Sequence, residues 1–197
     1  KSGECILDAG CGWGNLWRYN EERLVPDMQV TLVDFHNTYA DDLEEYVRDK
    51  SQFHFMWGDL NELDYPGKYD CIFLNHLILY LENPVETYTR LRSFLNPGGR
   101  MITTWGGLLL AENLMTLLCE HAPEEQKQIK AHFTELKEEI EQREKELKLV
   151  FSEVALHKYP AVLHFETAKE MVDYLEPVAK KLGVNIADGM SSFEKFL

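Results

Sequence analysis

The chain has 197 residues, 45% of them apolar, with a formal net charge of -14 and a sequence pI of about 4.9. That size suits one full domain, or one domain carrying an inserted piece, with a sizeable core. The excess of acid argues against a nucleic-acid backbone as main partner, which requires a basic face, and no apolar run is long enough to span a membrane.

The chain opens at Lys1-Ser2-Gly3, with no initiator Met and no signal-peptide character, and a preceding segment is expected. The first strand is expected at Glu4–Asp8, followed by a glycine-rich turn and a helix over Trp13–Leu24 that carries Leu16, Trp17, Tyr19 and Leu24. Further strands are expected at Gln29–Asp34, Gln52–Trp57, Tyr69–Asn75 and Gly99–Thr104, with helices at Thr38–Lys50 and Pro84–Leu95. Asn96-Pro97-Gly98-Gly99 stops the last of these, because proline cannot continue a helix and glycine takes the cap. Apolar runs alternating with helical patterns predict βαβ units and a doubly wound, mostly parallel α/β sheet.

After Trp105 the composition changes. Leu108–Cys119 reads as an apolar helix. From Pro123 to Val150 the chain is densely charged, yet Ile129, Phe133, Leu136, Ile140 and Leu147 fall on one helical face. Glu139/Arg143, Glu141/Lys145 and Glu144/Lys148 are i,i+4 pairs with the acid first, the better orientation. This predicts a long amphipathic helix with a solvated outer face. Glu166–Glu176 reads as another helix, with Met171, Val172 and Leu175 on one side, and Val184–Leu197 is short for the closing strands of such a sheet. Cysteines 5, 11, 71 and 119 form no Cys-x-x-Cys and no cluster with histidines, so no metal is expected, and free thiols fit a cytoplasmic setting.

The chemistry is concentrated at strand ends. Cys5-Ile6-Leu7-Asp8-Ala9-Gly10-Cys11-Gly12-Trp13-Gly14 is a strand, an acid, then three alternating glycines. Such a turn brings backbone against a ligand, because glycine has no Cβ and accepts positive φ. A dinucleotide turn needs Gly-x-Gly-x-x-Gly, and Asn15 stands at its last position, which disfavours a nicotinamide enzyme. Asp34 ends the second strand, 34 − 14 = 20 positions beyond Gly14, where a carboxylate reaches ribose hydroxyls; the alternative is a helix N-cap. Asn75 and His76 leave the fourth strand, where parallel sheets bind ligands, and Tyr80 follows four residues later.

Asp8, Gly10, Gly12, Gly14, then Asp34, Asp59, Asn75 and Pro97-Gly98-Gly99, taken as an ordered set over about residues 4–104, resemble the class I S-adenosylmethionine (SAM) dependent methyltransferases. Within that class the look is that of the small-molecule group that includes quinone-biosynthesis enzymes. The resemblance implies SAM as cofactor and S-adenosyl-L-homocysteine as product. It places Phe35 against adenine, Asp59 on the adenine amino group and the Leu60 backbone N–H on the ring. It brings Asn75 and His76 near the amino-acid moiety and the transferred methyl, with His76 as candidate general base and Tyr80 second. No Asn/Asp-Pro-Pro-Tyr/Phe and no Pro-Cys follows the fourth strand, which argues against amino methylation by that route and against cytosine C5 methylation.

The expected organisation is a SAM-binding core over 1–104, a helical insertion over 105–165 acting as a lid, and a return to the core over 166–197. Leu108, Leu109, Leu110, Leu114, Met115, Leu117 and Leu118 would pack on the core or face the cleft. The expected partner is a small-molecule methyl acceptor, with no nucleic acid; the oligomeric state is not legible. The rival reading is a non-catalytic SAM-binding or scaffold protein that uses the insertion as a partner surface.

Overall fold

The structure is a computed structural model that describes residues 3–62, 64–65, 67–106, 108–159 and 163–184. Five strands, β1 (Cys5–Ala9), β2 (Gln29–Asp34), β3 (Phe53–Trp57), β4 (Tyr69–Asn75) and β5 (Leu95–Thr104), form one sheet in the order β3-β2-β1-β4-β5, and every pairing is parallel. The order reverses between β1 and β4, which is where open α/β sheets hold their ligands. Ile6, Leu7, Val30, Leu32, Ile72 and Leu74 are buried, as expected for parallel strands covered on both faces. Helices α1 (Asn15–Arg18), α2 (Asn37–Val47) and α3 (Pro84–Ser93) connect the strands.

Contacts divide the chain into two compact units. One comprises residues 1–105 with Arg143–Glu153, and the other Gly106–Gln142 with the residues from Val154 onward. In the second, α4 (Leu108–His121), the first part of α5 (Gln126–Val150) and α6 (Ala168–Lys181) close around Leu118, Ile129, Phe133, Met171, Leu175 and Ala179. Leu114, Met115 and Leu117 pack against that core. The stripe read on α5 is buried at Ile129, Phe133, Ile140 and Leu147. The side chains of Leu108, Leu109 and Leu110 and residues 185–197 lie outside the described ones.

Two expectations are corrected. The helix read as Trp13–Leu24 is a single turn, Asn15–Arg18, followed by a separate 3-10 turn at Glu21–Arg23. Asn20 interrupts it: its backbone leaves the helical region at φ -123°, and its Nδ2 donates to the Leu16 carbonyl at 2.7 Å. A short amide side chain competes with the helical ladder in this way. The Asn96–Gly99 stop lies within β5. Tyr69 pairs with Leu95 and Cys71 with Arg100, so two steps along β4 face five along β5, and three extra residues loop out. Asp70 secures this irregularity by accepting from Asn96 Nδ2 and from the Cys5 N–H, both at 2.9 Å.

Gly99 has no room for a side chain, because a Cβ there would lie 2.9 Å from the Asn96 carbonyl oxygen and 3.0 Å from that of Tyr69. Both are backbone atoms that cannot swing aside. Gly99→Ala is therefore expected to cost about 1–3 kcal/mol in urea denaturation. Gly106→Ala, whose Cβ meets nothing within 4 Å, is expected to stay within about 0.5 kcal/mol of wild type.

Candidate functional site

The glycine turn after β1 is built on left-handed backbone, with φ of 78° at Gly10, 54° at Gly12 and 67° at Gly14. Non-glycine residues enter that region only at a cost. The Gly10 and Cys11 N–H groups both donate to the Val33 carbonyl, at 2.8 and 3.0 Å, and moor the turn to β2. Gly10 lies under Leu77 and Gly14 against Leu43, where a Cβ would come within 2.7 and 3.0 Å of a methyl carbon. A Cβ on Gly12 would meet nothing within 4 Å. Two glycines thus serve packing and the middle one presents an open face.

Asp34 is buried at the end of β2 and joins three segments. Its Oδ2 accepts from the Gly12 N–H at 2.8 Å, its Oδ1 from the His36 N–H at 2.9 Å, and its carbonyl from the Gly58 N–H at 3.0 Å. The N-cap position of α2 belongs to His36, so Asp34 is not that cap. Beside it stand two large aromatics in solvent, Phe35 at 56% and Trp57 at 54% exposure, joined by a bond from Trp57 Nε1 to the Phe35 carbonyl at 3.1 Å. Trp13, also exposed, meets Tyr39 edge-on at 4.8 Å. Sequence reasoning passed over Trp13 and Trp57. Trp13 lies between Gly12 and Gly14 and Trp57 two residues before Asp59, and a large aromatic beside such a position with no core to enter is the signal that marks them.

Asp59, exposed after β3, accepts from the Asn61 N–H at 2.7 Å in a local turn, and the adjoining Leu60 carbonyl accepts from Tyr65 OH at 2.8 Å. At the exit of β4, Asn75 Oδ1 accepts from Thr104 Oγ1 at 3.0 Å and the His76 N–H donates to the Thr104 carbonyl at 2.9 Å. His76 is exposed and carries φ 54°, the one non-glycine residue with positive φ among the described ones. Tyr80, 80% exposed, stands on the 3-10 turn Ile78–Tyr80, and its N–H donates to the Leu77 carbonyl at 2.9 Å.

Asp8 is 2% exposed. Trp17 Nε1 donates to its Oδ2 at 2.7 Å, and its Oδ1 is buried with no partner. Burial raises its carboxyl from 3.8 to about 6, opposed by the Trp17 bond and assisted by the charge of Asp34. Burial, with the charges of Asp8 and Asp34, pushes the Cys11 thiol far up and keeps it neutral. Hydrogen bonds join Gly12 to Asp34, and Asn75 and His76 to Thr104. An open concavity of about 840 Å³ lies elsewhere on this unit, beside α3 between Asn61, Asn83, Thr89 and Arg90, and none of Asp8, Gly12, Asp34, Asp59, Asn75, His76 and Tyr80 lines it. Among the described residues no three His, Cys, Asp or Glu gather as a metal site, and no helix is long and apolar enough to cross a membrane.

Residues 7–101 match a family model described as a methyltransferase domain. The chain is 32% identical over 106 residues to a malonyl-[acyl-carrier protein] O-methyltransferase of Halalkalibacterium halodurans, a match covering 51% of this chain and 39% of that protein. It is 29% identical over 106 residues to phosphoethanolamine N-methyltransferase 3 of Arabidopsis thaliana, covering 53% of this chain and 21% of that protein. The chain thus spans well under half the length of these relatives. The fold is similar to that of the plantazolicin methyltransferase BpumL, solved with a pentazolic desmethylPZN analog and SAH, with a TM-score of 0.51 and 21% identity over 59% of this chain and 44% of that one.

The Asp8 carboxyl sets a pH dependence whose sign is definite. A group whose folded pKa is raised binds more protons in the folded than in the unfolded state between about 3.8 and 6. Folding stability therefore falls as pH rises through that window, by up to about 3 kcal/mol for a shift near two units. Asp8→Asn keeps an acceptor for Trp17 and removes the charge. It is expected to raise the melting temperature of the ligand-free protein at neutral pH and to leave it nearly unchanged near pH 4. An equal effect of the substitution at both pH values would sink this account.

Proposed function

We propose that this chain, whose residues 7–101 match the model of a methyltransferase domain, is a class I SAM-dependent methyltransferase that binds SAM at the carboxyl ends of β1, β2 and β3 and transfers its methyl group to a small-molecule acceptor. The observation that carries the reading is the Gly12–Asp34 pair: a glycine with an open face whose N–H is held by a buried carboxylate at 2.8 Å. Each Asp34 oxygen accepts one bond from the protein, and a carboxylate oxygen accepts two, so acceptor capacity remains for the two ribose hydroxyls. Phe35 and Trp57 offer apolar area to the adenine, and Asp59 with the Leu60 N–H serves the polar edge of the base. Gly10 and Gly14 pack the turn against Leu77 and Leu43, Asp8 lies buried near the end of β1 on the cofactor side, and Asn75 faces the amino-acid moiety.

When bound, SAM supplies an electrophilic methyl on a sulfonium, with S-adenosyl-L-homocysteine as product. The protein's part is then largely positional, and holding two reactants in line contributes roughly 7–11 kcal/mol. His76 is the proposed general base, accepting the acceptor's proton, with Tyr80 second. Its left-handed backbone supports this choice. A strained non-glycine conformation persists where the side chain is needed, and strain of this kind gathers at functional sites. The named cofactor positions all precede residue 105, which leaves the helices after it, α4 and the first part of α5, for recognising the acceptor. The two relatives are named for an O- and an N-methyl transfer, so membership of the class does not choose the acceptor atom.

Asp34→Ala is expected to weaken SAM binding about tenfold or more by calorimetry, since hydrogen bonds to a charged group contribute about 1.5–3 kcal/mol each. Gly12→Val is expected to do worse, because its side chain fills the open face. An Asp34→Ala affinity within about twofold of wild type would refute the ribose assignment.

His76→Asn and His76→Gly relieve the left-handed backbone and are expected to raise thermal stability by about 1 kcal/mol. Both are expected to lower methyl transfer from radiolabelled SAM to carboxylic, phenolic and amine acceptors by about 10²–10⁴-fold. Unchanged turnover in His76→Asn removes the base assignment. SAM binding with no turnover in wild type favours the non-catalytic reading.

A further inference from the structure

Trp17 lies on the single turn of α1, 4% exposed, edge-on to Phe53 and Phe73 with ring centroids 6.0 Å from each. Packing of this quality needs no indole nitrogen, and a phenyl ring would satisfy most of it. The Nε1–H is nevertheless spent on one oxygen of a buried carboxylate, Asp8 Oδ2, at 2.7 Å, while Oδ1 of the same group is buried with no partner. The titratable groups that face Asp8 are Asp34 from β2, Cys11 from the glycine turn and Cys71 from β4. None of them is a cation. A buried anion with one satisfied oxygen and one empty one is costly unless a donor arrives.

We propose that Trp17 is a positioning residue for the ligand, one that holds Asp8 by a single oxygen, keeps it ionised, and leaves Oδ1 as acceptor for a cationic N–H group, the ammonium of an S-adenosyl compound. This rests on reading the glycine turn and Asp34 as a SAM site. The indole N–H favours the charged form of Asp8 because it donates to it. Without it both oxygens are buried and bare, the carboxyl is protonated at higher pH, and the charge that meets the ammonium is lost. Trp17 therefore acts through Asp8 and not by touching the ligand.

The test is a calorimetric titration of S-adenosyl-L-homocysteine into wild type, Trp17→Phe, Asp8→Asn and the double variant, between about pH 5 and 8. Wild-type affinity is expected to fall as pH drops through about 6, where Asp8 takes up its proton. Trp17→Phe is expected to bind about tenfold more weakly at neutral pH, with the midpoint of its pH dependence moved upward. In the Asp8→Asn background the pH dependence is expected to disappear and Trp17→Phe to change nothing further. The same loss in both backgrounds, with an unmoved midpoint, overturns the proposal and leaves Trp17 a packing residue. No binding by wild type overturns the SAM reading and this proposal with it. Should Trp17→Phe fail to fold, the ligand-free wild type still decides. Its Trp17 indole ¹⁵N–¹H resonance is expected to titrate near pH 6 and to stay fixed in Asp8→Asn, and a resonance that ignores pH in wild type overturns the proposal.

Discussion

The Asp34 carboxylate is the constraint on which the rest of the site depends. It accepts from the Gly12 N–H with one oxygen and from the His36 N–H with the other, while its own carbonyl receives the Gly58 N–H. One residue at the end of β2 thereby sets the glycine turn after β1, the entry to α2 and the exit of β3. Three loops that would otherwise move independently are referred to a single buried group. Bonds to a charged acceptor are worth roughly twice those between neutral partners, so the tie is stiff. It also orders the surroundings: with the turn held at Gly12 and the strand exit at Gly58, Phe35 and Trp57 project beside a glycine that has open space above it.

The same end of the sheet keeps unfavourable features that a fold selected only for stability would discard. Asp8 is buried with an empty oxygen, His76 holds a left-handed backbone, and large aromatics stand in solvent. Each has a local support: the Trp17 indole for Asp8, the Thr104 carbonyl for the His76 N–H, and the bond from Trp57 to the Phe35 carbonyl. Violations of local rules gather where function outweighs stability. These lie on successive strand exits around the point where the strand order reverses, whereas the opposite ends of the strands are tied conventionally, as by Asp70 between the Cys5 N–H and Asn96.

The helical part follows a separate logic. Its core is apolar and self-contained, built from α4, the first part of α5 and α6 around Leu118, Ile129, Leu175 and Ala179. One continuous helix, α5, nevertheless contributes to both units, since Arg143–Glu153 groups with the sheet. There the Val150 carbonyl accepts from Arg92 Nη1 at 2.7 Å, which satisfies one of the carbonyls a helix leaves open at its end.

The sheet was legible because its signals are local. Parallel strands buried on both faces read as apolar runs, and glycines at alternate positions after a strand mark a left-handed turn that other residue types adopt only at a cost. Asp8, Gly10, Gly12 and Gly14 follow from that pattern, Asp34 from its place at the end of the next apolar run, and the stripe of α5 from helical periodicity. What stayed hidden depends on partners distant in the chain. The first helix was overread because Asn20 ends it through a side-chain bond that composition does not reveal. Asn96–Gly99 read as a stop, yet the residues loop out of β5 because β4 fixes the register on either side. Trp17 looked like one more apolar residue of a helix, and only packing against Phe53 and Phe73 carries its nitrogen to Asp8. His76 was visible as a histidine at a strand exit, but its strained backbone exists only because Thr104, 28 residues on (104 − 76), fixes it from the neighbouring strand. Periodicity and glycine placement belong to the sequence; which buried oxygen is left without a partner, and which backbone is held under strain, is decided by contacts that form only when the strands come together.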